Sequence, residues 1–357
     1  MRGIVILTFT AFITISGQSQ ELSTAELISL TSLTPQKFEQ AINKKGYQKA
    51  DMTDRGDAVV HVFNPKQKTA EEVKIKRYAE KYQQGEEQFL VYATSSLAEN
   101  NTIREKLRKE GFFCPVDSVI YNGKEILFQK RNMVVAAACL VSPADTVYSF
   151  RFQYKNLPAP ARVNFADDLL QFTSHQHLVT MFGAANVTKD QYYFSDNEIN
   201  ACTVLFPNTS RQAIFIWTDE MNLSDLGSVV IGGSVRGGSS TENEMLQISE
   251  NAWRLRNGIR ANMKLKELLE LNGKDFTIYG KESDYFMKAD AAAEKGDIDF
   301  KEIAVIMGCL NCGSTYLLNK EKVSAEDALD SNLSMHVLML ILYPTDNSTK
   351  TEVKTNY

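Results

Sequence analysis

Thr34-Pro35-Gln36-Lys37-Phe38-Glu39-Gln40-Ala41-Ile42-Asn43-Lys44-Lys45-Gly46-Tyr47 and Asn101-Thr102-Ile103-Arg104-Glu105-Lys106-Leu107-Arg108-Lys109-Glu110-Gly111-Phe112 are two copies of one pattern. In the first copy Thr34 stands at an N-cap, Pro35 at the first helical position and Gly46 at the stop. Phe38, Ala41 and Ile42 form an i, i+3, i+4 apolar stripe. Laying Gly111 on Gly46 requires a shift of 65 residues, and the same shift lays Ile103 on Phe38, Leu107 on Ile42 and Phe112 on Tyr47. Four agreements at one shift indicate a duplication. Three strand-like runs follow each helix: residues 58–63, 72–82 and 88–94, then 118–130, 133–141 and 147–154. Val73-Lys74-Ile75-Lys76 and Tyr148-Ser149-Phe150-Arg151-Phe152 alternate, and Gln84-Gly85 and Asn122-Gly123 mark hairpin turns. The expectation is an α+β fold in which tandem αβββ units form antiparallel sheets with their helices on one face.

The rest of the chain reads as a second domain. Leu157-Pro158-Ala159-Pro160-Ala161 marks a linker, giving an N-terminal domain over residues 21–156, a linker over 157–164, a C-terminal α+β domain over 165–344 and a tail over 345–357. Helices are expected over 167–182 and 265–271 and near 289–295, with strands near 191–194, 201–206, 213–217, 228–231, 276–279, 300–306 and 337–343.

The first residues read as an export signal. Met1-Arg2-Gly3 is a short basic start, Ile4 to Ile15 an apolar run, and Ser16-Gly17-Gln18-Ser19-Gln20 a small, polar finish. The run is too short to span a bilayer, which takes roughly 20 apolar residues. Cleavage is expected near Gly17–Gln20, which makes the mature chain periplasmic or secreted, with no membrane span. Of the 357 residues 43% are hydrophobic and 23% charged, and the net charge is −5, so a nucleic-acid partner is not expected. The basic run Lys74-Ile75-Lys76-Arg77 reads as a strand with a solvated face. Sequons stand at Asn100, Asn186, Asn208, Asn222, Asn332 and Asn347.

Thr203-Val204-Leu205-Phe206-Pro207, Ile214-Phe215-Ile216-Trp217, Trp253-Arg254-Leu255-Arg256-Asn257-Gly258-Ile259-Arg260 and the Leu265–Phe276 segment containing Leu271-Asn272-Gly273 resemble a family of exported bacterial proteins of unassigned function. The resemblance runs from about residue 175 to residue 280. The paired helix-and-strands layout is similar, in architecture only, to exported inhibitors such as the β-lactamase inhibitory protein. A shared fold does not carry a shared function.

Few residues suggest chemistry. Five cysteines (Cys114, Cys139, Cys202, Cys309 and Cys312) are too few for a disulfide scaffold. Gly308-Cys309-Leu310-Asn311-Cys312-Gly313 can hold a local disulfide, free thiols or a redox pair, but a structural zinc needs a second pair that is lacking. His175 and His177 read as surface or capping histidines on a helix. Asp219, Glu220 and Asp225 read as turn residues, and the glycines of Gly232–Ser240 lack phosphate-loop spacing. No nucleophile elbow occurs. Trp217, Trp253 and Tyr193, beside Tyr192 and Phe194, could build an aromatic binding face or fill a core. The expectation is thus an exported binding or inhibitory protein, more a binder than an enzyme. It needs no cofactor or metal and holds an envelope protein or glycan on an antiparallel sheet. The alternative is an envelope thiol/disulfide protein acting through Cys309 and Cys312.

Overall fold

The computed structural model describes residues 21–54, 58–66, 74–84, 87–116, 123–143, 145–157, 163–195, 198–232, 251–290 and 296–344. The leader expected over residues 1–20, the loop expected after Gly232 and the tail expected over 345–357 fall outside the described residues. One compact unit comprises the residues up to Glu110 together with Ala137–Tyr154, and the other Gly111–Ala136 with the residues from Lys155 onward. Antiparallel sheets dominate both, as expected of an α+β chain.

The seven-stranded sheet is built from β1 (Tyr47–Asp54), β2 (Val59–Pro65), β3 (Arg77–Gln84), β4 (Glu87–Thr94), β5 (Ile126–Lys130), β6 (Met133–Val141) and β7 (Thr146–Tyr154), in the order β1-β2-β3-β4-β7-β6-β5. Its helices are α1 (Thr24–Thr31), α2 (Pro35–Lys44) and α3 (Leu97–Lys109). The duplicated stop glycines do the same work in both copies. Gly46 and Gly111 have φ of +85° and +84°, a left-handed conformation that ends α2 and α3 at little steric cost.

Register decides which face carries the helices. Phe63, Ala79, Tyr92 and Phe150 form one cross-strand row, and His61, Lys81, Leu90 and Phe152 the next. Each helix packs on this face. The Phe38 ring of α2 stands edge-on to Phe63 at 5.3 Å, Lys81 Nζ donates to the Thr31 carbonyl of α1 at 2.6 Å, and Glu99 of α3 accepts from the Tyr92 hydroxyl. The sequence departs from its simple reading at two elements. Helix α1 opens with a capping box between Ser23 and Glu26, and β1 adds a polar edge strand to the first repeat.

Two buried charges sit among these apolar rows. Lys81 is fully buried, and burial pushes its ammonium down to about 8. Its proton is retained because the carbonyl at the C-terminal end of α1 faces it. Glu99 is 3% exposed and accepts from Arg77 Nε at 2.8 Å and Thr94 Oγ1 at 2.7 Å, besides the Tyr92 hydroxyl. Burial, with Tyr47 and Glu99 beside it, pushes the Tyr92 hydroxyl up, so it stays a proton donor. Arg77, expected on a solvated face, is instead the counter-charge of this network, with its side chain 11% exposed.

The second unit holds a six-stranded sheet. It is built from β8 (Val187–Ser195), β9 (Glu198–Leu205), β10 (Ala213–Asp219), β11 (Ser224–Gly232), β13 (Ile303–Cys309) and β15 (Met335–Leu342), in the order β13-β15-β11-β10-β9-β8. The short strands β12 (Thr277–Tyr279) and β14 (Lys322–Ser324) pair separately. The helices of this unit are α4 (His175–Phe182), α5 (Leu265–Asn272) and α6 (Ala325–Asp330). The helix expected over 167–182 is divided: a 3₁₀ turn over Ala166–Gln171 precedes α4, whose N-cap Ser174 accepts from the His177 amide. No helix among the described residues is long and apolar enough to cross a membrane.

Candidate functional site

Strand pleating puts a second set of side chains on the sheet face opposite α1, α2 and α3. One row there runs Thr53, Val60, Tyr82, Phe89 and Gln153 across β1, β2, β3, β4 and β7. The next runs Asp51, Val62, Glu80, Val91 and Arg151 across the same strands. Tyr82 and Phe89 are cross-strand partners whose rings stack at 4.4 Å with 13° between their planes. The Tyr82 hydroxyl donates to Glu80 at 2.6 Å, which fixes the ring. Val60 and Ala93 are buried in this face, whereas Tyr78, Tyr82, Phe89, Val62 and Val91 are half-buried and Arg151 is exposed. The result is a rigid platform with an aromatic centre and charges of both signs beside it.

Aromatic, aliphatic and charged side chains thus share one face of the sheet. Among the described residues no group of three His, Cys, Asp or Glu side chains is arranged to hold a metal ion. No known protein family, curated protein or solved structure matches this chain.

The aromatic side chains singled out by sequence lie elsewhere, and for Trp217 and Trp253 the core alternative holds in place of the binding face. Trp217 and Trp253 are each 2% exposed and belong to the core of the second unit, not to a contact face. Trp217 Nε1 donates to Thr203 Oγ1 at 2.9 Å with its ring stacked on Phe215, and Trp253 Nε1 donates to the Arg211 carbonyl at 2.7 Å. The reason is readable: Ile214-Phe215-Ile216-Trp217 is a continuous apolar run, and β10 is an inner strand buried on both faces. Tyr193 is half-buried on the edge strand β8, and its hydroxyl donates to Gln191 at 3.3 Å.

The two helical histidines also differ from their surface reading. His175 and His177 are 5% and 2% exposed, and burial pushes each down to about 4. His175 Nδ1 lies 3.1 Å from the Thr203 hydroxyl, and His177 packs on Phe172 at 4.8 Å with no hydrogen-bond partner for Nε2 among the described residues. Both are neutral at pH 7, and they share no ligand geometry. Asp219 accepts from the Asn222 amide at 3.0 Å and from its side chain at 2.7 Å, and Asp225 has φ of +60°, so these carboxylates serve turn geometry. Asn100 and Asn222 of the sequons are buried, and Asn347, the Gly233–Ser240 loop and Ala291–Lys295 lie outside the described residues.

Cys309 and Cys312 form a disulfide with 5.7 Å between their Cα atoms. Strand β13 ends at Cys309, and a 3₁₀ turn over Cys312–Ser314 follows in place of a long helix. So short a loop limits the entropic contribution of the bond to about 2 kcal/mol. Cys139 and Cys202 are buried, and burial with the nearby Asp190 carboxylate pushes the Cys202 thiol up to about 12.

Proposed function

We propose that this chain is an exported, non-enzymatic binding protein that holds a protein or glycan of the cell envelope against the open face of its seven-stranded sheet. The observation that carries the reading is the Val60–Tyr82–Phe89–Gln153 row, in which two stacked, half-buried aromatic rings lie on the face opposite α1, α2 and α3. Such an aromatic centre, beside the mixed charges of Asp51, Glu80 and Arg151, has the make-up of an interface core with its polar rim. Rigid strands hold the rings in place before binding, so little ordering entropy is lost when a partner docks. Export through the Met1–Gln20 leader, and membership of the exported family that the Thr203–Phe276 segments resemble, belong to the same proposal.

The test is affinity capture from an envelope extract with the chain from Glu21 onward as bait. The expected result is one enriched partner whose recovery falls about tenfold or more with a Phe89→Asp bait that melts like the parent. A Cys309→Ser, Cys312→Ser bait should retain it fully. Equal recovery by the Phe89→Asp bait would overturn the assignment of this face.

A further inference from the structure

We infer that Cys309 and Cys312 form a redox-active pair that exchanges electrons with a thiol substrate without disturbing the fold. Two features of the second unit carry this beyond the sheet-face reading.

The turn is held by bonds other than the disulfide. Leu310 N–H donates to the Ser334 carbonyl at 3.1 Å. Asn311 Nδ2 donates to the Asn332 carbonyl at 2.9 Å, and Asn311 Oδ1 accepts from Ser334 N–H at 2.7 Å. These contacts anchor the residues between the two cysteines to the segment leading into β15, so they persist when the sulfur–sulfur bond opens. The fold therefore has little need of the disulfide, which also closes a very short loop.

The pair also stands at the rim of the core. Both cysteines are half-buried, packed in part against the core of the second unit, and the intervening Leu310 is 50% exposed. Exposed disulfides are the labile, exchanging ones, whereas buried structural ones resist reduction. The remaining thiols divide accordingly, since Cys139 and Cys202 are buried and only Cys114 is also half-buried.

The chemistry is thiol–disulfide exchange with a low-molecular-weight thiol. Its thiolate attacks one sulfur of the pair, forming a mixed disulfide and releasing the other cysteine as a thiolate. A second thiolate then attacks the mixed disulfide, giving the oxidised small disulfide and leaving both cysteines reduced. Two electrons pass to the protein pair, and the two protons lost by the small thiols are taken up by Cys309 and Cys312. In reverse, the turn keeps the two thiols close and raises their effective concentration for closure. Asn311 is a positioning residue here.

The test uses the chain from Glu21 onward in a Cys114→Ser background, equilibrated without denaturant against graded ratios of reduced to oxidised glutathione. After quenching with an alkylating agent, the state of the pair is read by mass. The expected result is one reversible titration, the same from oxidised and reduced starts, with cooperative melting retained at every ratio. Asn311→Ala should shift the balance about tenfold toward the dithiol. The inference is overturned if the pair stays oxidised until the protein is denatured, or if reduction abolishes the melting transition. It is equally overturned if the reduced pair does not close again, and an unshifted Asn311→Ala titration would remove the positioning role. None of these outcomes depends on a partner at the sheet face, so this reading and the binding proposal fail separately.

Discussion

Glu99→Ala is expected to destabilise the first unit by about 3–5 kcal/mol, because it leaves the Arg77 guanidinium buried without its counter-charge. The carboxylate accepts from three donors, Arg77, Thr94 and Tyr92, and its removal takes this acceptor from all three at once. An exposed pair behaves differently: Lys109 and Glu105 have side chains 66% and 65% exposed, and Lys109→Ala should cost far less. Thermal melting should register the Glu99→Ala loss as a fall of about 10 °C or more. Adding Arg77→Met should recover much of it, since the second change removes the uncompensated charge. If Glu99→Ala melts within about 2 °C of the parent, the network does not lock α3 onto the sheet.

The second large effect is a loss of stability in mild acid. His175 and His177 are pushed down to about 4 by burial, whereas an unfolded chain protonates them near the ordinary histidine value of about 6.5. Between those values the unfolded state binds two protons that the native state does not. Stability therefore falls as pH drops from about 6.5 toward 4, by an amount on the order of 2–3 kcal/mol per histidine. His61 and His336 are lowered as well and act in the same direction, whereas the lowered carboxyls of Glu26 and Asp145 act only at more acid pH. His177→Phe isolates part of the effect. Its ring already packs on Phe172, and its Nε2 has no partner among the described residues, so phenylalanine keeps the volume and removes an orphaned donor. The variant loses the 3.3 Å bond from Thr173 N–H to Nδ1. Denaturant titrations from neutral pH to about 4.5 should show the acid loss reduced by roughly half in that variant. An unchanged acid limb would mean that His177 titrates normally in the native state.

Much of this architecture was legible in the sequence, and the exceptions have physical reasons. The stop glycines Gly46 and Gly111 announce the duplication because glycine adopts their positive φ without strain. The alternation of Tyr148, Phe150 and Phe152 identifies a strand with one buried face. Helix α1 is signalled by Ser23-Thr24-Ala25-Glu26, a capping-box spacing easily passed over because it directly follows the leader. Strand β1 is hidden, because an edge strand such as Tyr47–Asp54 needs few apolar residues. Lys81, Arg77 and Glu99 look like solvated charges, since burial of a charge depends on partners from distant segments that no local pattern shows. For the same reason a local reading leaves Trp217 and Trp253 open between a binding face and a core, although the continuous apolar run before Trp217 argues for an inner strand. The Tyr82–Phe89 stack depends on the register of β3 against β4, which two neighbouring runs of sequence do not fix.

The binding reading is tested most directly by hydroxyl-radical footprinting of the chain alone and with its captured partner. The reading predicts that oxidation of Tyr78, Tyr82 and Phe89 falls in the complex, while Tyr316, which is 86% exposed in the second unit, stays fully reactive. Protection of Tyr316 or Tyr193 with no change at Tyr82 and Phe89 would contradict it, and would move the contact surface off the seven-stranded sheet.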